Sequence, residues 1–175
     1  MEEILDVYTR DGTYIGKEKK SYCRSKENRG VYYKPAWIWI VNSKGEVLVQ
    51  KRANQKRYYP NKWDMSSAGH VTAGEATIQG AVREIEEELG IKVLEKELIF
   101  ITEYLYDDIF QLGQVYLLKK DIDISEMKLQ TEEVSEVKWL KLEDFKQLFY
   151  SDLFVPLEEE YRKVVLEMLK NYIRI

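Results

Sequence analysis

Between Thr77 and Leu89 apolar residues recur at helical spacing (Ile78, Ala81, Val82, Ile85 and Leu89), and Gly90 stands where such a helix would end. The stripe predicts an amphipathic helix that buries one side against a sheet. Its other side constrains more. At about 100° per residue, placing Glu84 at zero puts Glu88 at about +40° and Glu87 at about −60°, so three carboxylates share an arc of about 100°. Like charges at these spacings destabilise an isolated helix by roughly 0.2 to 0.5 kcal/mol per pair, so the pattern works against local stability. A solvated acidic face is the plain reading. The functional one is a divalent cation: Mg²⁺ and Mn²⁺ take oxygen ligands and accept waters and phosphate oxygens beside them. Gly80, on the carboxylate side one turn before Glu84, costs a helix interior ~1 kcal/mol and gains only the close approach of another group. Arg83 lies beside the cluster, within reach of Glu87 or of the loop before the helix.

Around this helix the chain mixes strand and helix patterns. Ile4 to Thr9 and Thr13 to Gly16 flank Asp11-Gly12, a dipeptide suited to a tight turn, and predict an N-terminal β-hairpin. Tyr32 to Val41 and Val47 to Lys51, separated by Asn42-Ser43-Lys44-Gly45, predict a second antiparallel pair. Further strands are expected at Asp64 to Val71, Leu98 to Tyr106, Gln114 to Lys119 and Val134 to Leu140, and further helices at Leu142 to Phe149 and Leu157 to Tyr172. The interleaving predicts an α/β fold, a mixed sheet with helical layers on its faces. With 175 residues, 45% of them hydrophobic, and no linker-like stretch, one domain spanning 1–175 is expected.

Composition narrows the chemistry. A net charge of −4 offers no bulk attraction to a nucleic-acid polymer. The longest apolar run, Ala36 to Val41, is too short to cross a bilayer, and Met1-Glu2-Glu3 lacks a basic leader, so a soluble, cytoplasmic protein is expected. One histidine, His70, and one cysteine, Cys23, leave no room for a His- or Cys-rich metal site, so carboxylates must carry any metal chemistry. No activated serine is marked near His70.

The stretch from 69 to 91 matches G-x5-E-x7-R-E-U-x-E-E-x-G-U, with U a bulky aliphatic residue, at Gly69, Glu75, Arg83, Glu84, Ile85, Glu87, Glu88, Gly90 and Ile91. Its seven identities would coincide by chance on the order of 10⁻⁸ per start point. This segment resembles the signature of the Nudix hydrolases, and the surrounding order of elements is similar to the Nudix αβα sandwich, with residues 1–30 as an N-terminal hairpin extension. The resemblance implies cleavage of a phosphoanhydride in a nucleoside or other diphosphate linked to a group X, a small-molecule substrate, with Mg²⁺ or Mn²⁺. Glu84, Glu87 and Glu88 would be metal ligands or the base, the Gly69 carbonyl a further ligand, and Glu75 and Arg83 would hold the loop against the helix. A non-catalytic nucleotide-binding or regulatory module is the alternative.

Trp63-Asp-Met-Ser-Ser-Ala68-Gly69-His70 looks like the branch containing isopentenyl-diphosphate isomerases, which place a cysteine directly before the Gly-His pair. Ala68 stands there instead and cannot transfer a proton. Hydrolysis is therefore favoured over isomerisation. His70 is either a phosphate contact or a hydrogen-bonded structural residue; Cys23 is a bystander. Between Lys51 and Trp63 five cations occur with no acid, and Arg52 is the candidate for the outer phosphates, although a solvated loop would look the same. Tyr32, Tyr33, Trp37, Trp39, Tyr58 and Tyr59 offer stacking surfaces, but aromatics alternating along strands are usually core. Glu133, with Glu132 second, is a candidate base outside the helix, or part of a surface turn. The group X, the place of the base and the oligomeric state, a homodimer included, stay open.

Overall fold

The computed structural model describes residues 2–173. A hairpin, β1 (Ile4–Tyr8) and β2 (Tyr14–Lys19), runs into a single-turn helix, α1 (Lys20–Cys23). Then come β3 (Tyr32–Tyr33), β4 (Ala36–Val41), β5 (Glu46–Arg52), β6 (Trp63–Asp64), β7 (Ser67–Gly69) and α2 (Thr77–Leu89). The chain ends with β8 (Leu98–Tyr106), β9 (Gln111–Lys119), β10 (Val134–Lys141), α3 (Leu142–Phe149) and α4 (Glu159–Tyr172). The sheet runs β10-β5-β4-β9-β3-β1-β2, with β6 on β5, β7 on β4 and β8 on β9. It is mixed, because β4 lies parallel to β9 while β4–β5, β4–β7, β8–β9 and β10–β5 are antiparallel.

Alternation along β4 shows why the fold has three layers. All six of its residues are buried. Trp37, Trp39 and Val41 pack with Phe145 and Phe149 of α3 and Tyr161, Val165 and Leu169 of α4. Ala36, Ile38 and Ile40 pack on the opposite face with Ala81, Ile85 and Leu89 of α2, which is the predicted stripe. A strand buried on both faces reads as a continuous apolar run, and Ala36 to Val41 does. The α/β sandwich with a mixed sheet and an N-terminal hairpin is therefore as expected.

Two expected strands are broken, each for a local reason. Tyr32 to Val41 splits at Lys34-Pro35, since proline has no N–H for the ladder. Tyr32–Tyr33 then pairs with β1, while β4 starts afresh beside β9 and β7. Asp64 to Val71 splits at buried Ser66, whose hydroxyl accepts from the Ile40 N–H (2.7 Å) and donates to the Leu48 carbonyl (2.6 Å). Ser66 thus spans β4 and β5, which pair directly only at Ile40–Leu48 and Val41–Val47. Beyond it the two strands diverge, and β6 and β7 occupy the gap. Its hydroxyl bridges the two strands where they part, just before the segment that carries Gly69. The last helix starts at Glu159 rather than Leu157, and α1 has no counterpart in the pattern reading.

The hairpin is not a free appendage. Ile4 accepts a hydrogen bond from the Ala73 N–H (2.9 Å), and the Asp6 carboxylate accepts one from Gly74 N–H (2.7 Å), so β1 clamps the loop that precedes α2.

Candidate active site

α2 presents its carboxylates to a cleft of about 550 Å³. Gly69, His70, Arg83, Glu84, Glu87, Glu88, Arg52 and Glu133 all line it, so these residues singled out in the sequence lie around one space. Four routes bring them there: β7 delivers Gly69 and His70, α2 delivers the charged face, β5 ends at Arg52, and the turn before β10 delivers Glu133. That turn is tied to the end of α2 by the Gln130 N–H to the Glu88 carbonyl (3.0 Å), and to the chain after β5 by Ala53 N–H to the Glu133 carbonyl (2.9 Å).

Arg83 organises the floor. Its guanidinium donates to both oxygens of Glu75 (3.0 Å each), to the His70 carbonyl (2.8 Å), to Glu84 (2.9 Å) and to Glu87 (3.1 Å). Hydrogen bonding to Glu75 is the largest cause holding Arg83 above its ordinary pKa. Burial raises the Glu75 carboxyl, but Arg83 and the Thr72 N–H bring it below its usual value. The loop is thereby held against the helix. Gly80 provides the room: a Cβ there would sit 2.8 Å from Val71 Cγ2.

The three glutamates are not equivalent. The Glu84 side chain is 13% exposed and that of Glu87 is 52% exposed. Glu88 is buried, and its Oε2 accepts from Ser67 Oγ (2.6 Å), Ala68 N–H (3.2 Å) and Gln50 Nε2 (3.3 Å). Burial raises the pKa of Glu84 against the pull of Arg83, and pushes that of Glu88 up to about 7 despite Ser67 and Ala68. Arg83 already offsets part of the repulsion in the cluster, so repulsion alone does not call for a cation. Among the described residues no three carboxylate, histidine or cysteine side chains stand ready-made around one point.

The donor chemistry nevertheless fits a hard cation. All the donors are oxygens. The Glu84 carboxylate lies so close over Gly69 that a Cβ there would overlap it, which puts carboxylate and backbone side by side. Gln50 Oε1, on the amide that donates to Glu88, is buried and has no hydrogen-bond donor among the described residues.

His70 lines the cleft beside the carboxylates. Burial, with Lys20, Arg24, Lys56 and Arg83 nearby, lowers its pKa to about 3, and the ring stacks on Tyr33 at 5.7 Å. It is neutral at physiological pH and brings no charge to a phosphate. Arg52 is held by Asp64 (2.9 Å) and the Tyr58 carbonyl (3.1 Å), and Glu133 pairs with Lys56. Glu132 is exposed and borders an adjoining groove. Tyr32, Tyr33, Trp37 and Trp39 are buried, whereas Tyr58 and Tyr59 are exposed. Cys23 is buried, and burial pushes its thiol up to about 11, so it stays protonated. Lys20, Arg24 and Lys56 also line the cleft. Lys56 belongs to the cation run already noted, but nothing in the local pattern marks Lys20 or Arg24.

Fold and cleft define a class of α/β sandwich in which an oxygen-rich helix face opposes a ring of cations. The family model described as NUDIX domain matches residues 32–165. The chain belongs to the Nudix hydrolase family. It is 34% identical over 179 residues to "Nudix hydrolase 3" of Arabidopsis thaliana, an alignment covering 93% of this chain and 23% of the plant protein. The chain thus spans about a quarter of that relative's length. It is 31% identical over 152 residues to "Isopentenyl-diphosphate Delta-isomerase 2" of Photorhabdus laumondii, covering 81% of this chain and 79% of that one. The crystal structure of DR0079 from Deinococcus radiodurans superposes with a TM-score of 0.73 at 18% identity, covering 98% of this chain and all of that one.

Proposed function

We propose that the chain, as one domain spanning 1–175 and acting in the cytoplasm, hydrolyses a phosphoanhydride in a small diphosphate linked to a group X, with Mg²⁺ or Mn²⁺. The observation that carries this is the cleft itself, where the glutamates of α2 face Arg52 and Lys56 across a space large enough for a diphosphate. Glu84, Glu87, Glu88 and the Gly69 carbonyl would hold the cation. When bound, it would offset charge on the diphosphate and lower the pKa of water. Arg52, braced by Asp64, would hold a phosphate oxygen. Glu133 would accept the proton of the attacking water once Lys56 turns to the phosphate. Arg83 fixes the loop and the Glu84 and Glu87 side chains, and His70 offers a neutral N–H.

The test is a panel of diphosphates assayed with each metal, with products identified by mass, beside Glu87→Gln. That change keeps size and shape, and hydrolysis should fall by roughly 10² or more with much smaller loss of affinity. If the wild type binds one diphosphate tightly, cleaves none, and Glu87→Gln binds equally well, a non-catalytic module is the right description.

The likeness to an isomerase makes a second outcome worth measuring. Ala68 pairs with Trp37 on β4 and borders the cleft, at the position where isomerases of this family carry cysteine, and buried Cys23 lies in another element. Isopentenyl diphosphate should therefore yield no allylic product by NMR. Turnover would show that another group moves the proton.

A further inference from the structure

Three cavities meet in front of α2. On one side the cleft adjoins a groove of about 530 Å³ bordered by Gln55, Arg57 and Glu132. On the other it adjoins a pocket of about 510 Å³ walled by Tyr58, Tyr59, Tyr106 and Phe110. Arg24 and Arg52 border all three.

The other cations of the cleft are engaged by carboxylates. Lys20 pairs with Glu3 (2.6 Å), Arg52 with Asp64 (2.9 Å), Lys56 with Glu133, and Arg83 with Glu75, Glu84 and Glu87. Arg24 differs. Its guanidinium lies over the Tyr58 ring at 4.6 Å, and among the described residues no carboxylate or carbonyl accepts a hydrogen bond from it. Stacking on a ring orients the planar fork while leaving its N–H groups unspent. Arg24 also lies before residue 32, where the match to the family model begins.

We propose that Arg24 is a substrate-binding residue of this chain: it takes the diphosphate from the side opposite the glutamates and sets group X in the aromatic pocket. The proposal rests on the diphosphate reading above and adds a residue from the N-terminal segment to it. A guanidinium can hold two phosphate oxygens at once, and one already oriented by stacking loses less freedom on binding. Its place at the junction links recognition of phosphate to the direction in which X leaves the cleft.

The experiment measures binding of methylenediphosphonate, a diphosphate mimic that cannot be hydrolysed, by calorimetry in Mg²⁺. Wild type is compared with Arg24→Ala, Arg24→Lys, and Arg29→Ala, an exposed neighbour that borders none of the three cavities. Arg24→Ala should weaken binding about 10- to 100-fold and raise KM by a similar factor, with kcat within a few-fold and Tm unchanged. Arg24→Lys should recover part of the loss, and Arg29→Ala should behave as wild type. If Arg24→Ala does not fold, the Lys variant carries the comparison. Wild-type affinity and KM in the Arg24 variants would overturn the role given to Arg24 alone. Failure of the wild type to bind the mimic would overturn the diphosphate reading, and this proposal with it.

Discussion

On the floor of the cleft Glu75, Glu84 and Glu87 pair with Arg83 and Glu88 is held by Ser67, Ala68 and Gln50, whereas at the rim Arg24 is stacked without a carboxylate partner among the described residues and Tyr58 and Tyr59 are exposed. The floor comes from one continuous stretch, β7 through α2. The rim is assembled from α1, the segment after β5 and the turn around Phe110, which are far apart in sequence. A closed network tolerates little change in geometry, because removing one partner leaves another charge buried. An open rim can change without unfolding anything. Chemistry common to a family belongs on the first kind of surface and selection among substrates on the second.

The comparison breaks most readily at Gly69. Gly69→Ala would force the Glu84 carboxylate off the β7 backbone, since the added Cβ would overlap it. Hydrolysis should fall by roughly 10³, about 4 kcal/mol of transition-state stabilisation, while circular dichroism stays that of the wild type. Activity within tenfold of wild type would mean that the floor adapts as freely as the rim.

Glu88 sharpens the same contrast through stability. Its pKa is raised in the fold to about 7 by burial, so the folded chain favours the neutral carboxyl. Stability from that preference is complete below the ordinary carboxylate value and is lost as pH rises through about 7. Glu88→Gln stays neutral throughout. In chelator-treated protein the variant should therefore match wild type near pH 4 and exceed it at pH 8 by up to about 3 kcal/mol, read from urea melts. Mg²⁺ or Mn²⁺ should narrow the gap by favouring the wild-type carboxylate. A gap that does not change with pH would place the cost of Glu88 somewhere other than in its charge.

The floor was legible in the sequence because its residues match a signature at fixed spacing and violate a local rule. Three like charges on one arc and a glycine inside a helix are poor choices for α2 alone, and both are explained by what α2 faces. Arg52 and Glu133 were found by charge pattern, and their convergence on α2 depends on β5 and β10 being neighbours in the sheet. Arg24 was invisible for the converse reason. An arginine in a segment that also holds Lys17, Lys19, Lys20, Lys26 and Arg29 breaks no rule, and its place in the cleft depends on the β1–β2 hairpin docking against β3 and the loop before α2. In the fold, Pro35 carries the signal for the break it causes, although the aromatic and β-branched run from Tyr32 to Val41 reads as one strand. Ser66 did not, because its effect lies in a hydroxyl that spans two strands rather than in its own propensity.

The smallest effect is expected at Tyr59, which separates stability from selection most clearly. Tyr59 has φ of 50°, a left-handed conformation that costs a side-chain-bearing residue about 1 kcal/mol, and it is half exposed on the wall of the aromatic pocket. Glycine would relieve that cost but would also give the unfolded chain more freedom, worth roughly 0.5 to 1 kcal/mol in the opposite direction. The two should nearly cancel, so Tyr59→Gly should leave stability within about 0.5 kcal/mol of wild type. Its effect should appear in KM, a few-fold higher for a diphosphate whose X group reaches the pocket and unchanged for one with a small X. Strain retained where relieving it gains almost nothing is what a rim selected for its side chain would show. The same KM as wild type across substrates of different size would remove Tyr59 from the rim. A large loss of stability instead would show that the segment after β5 belongs with the floor.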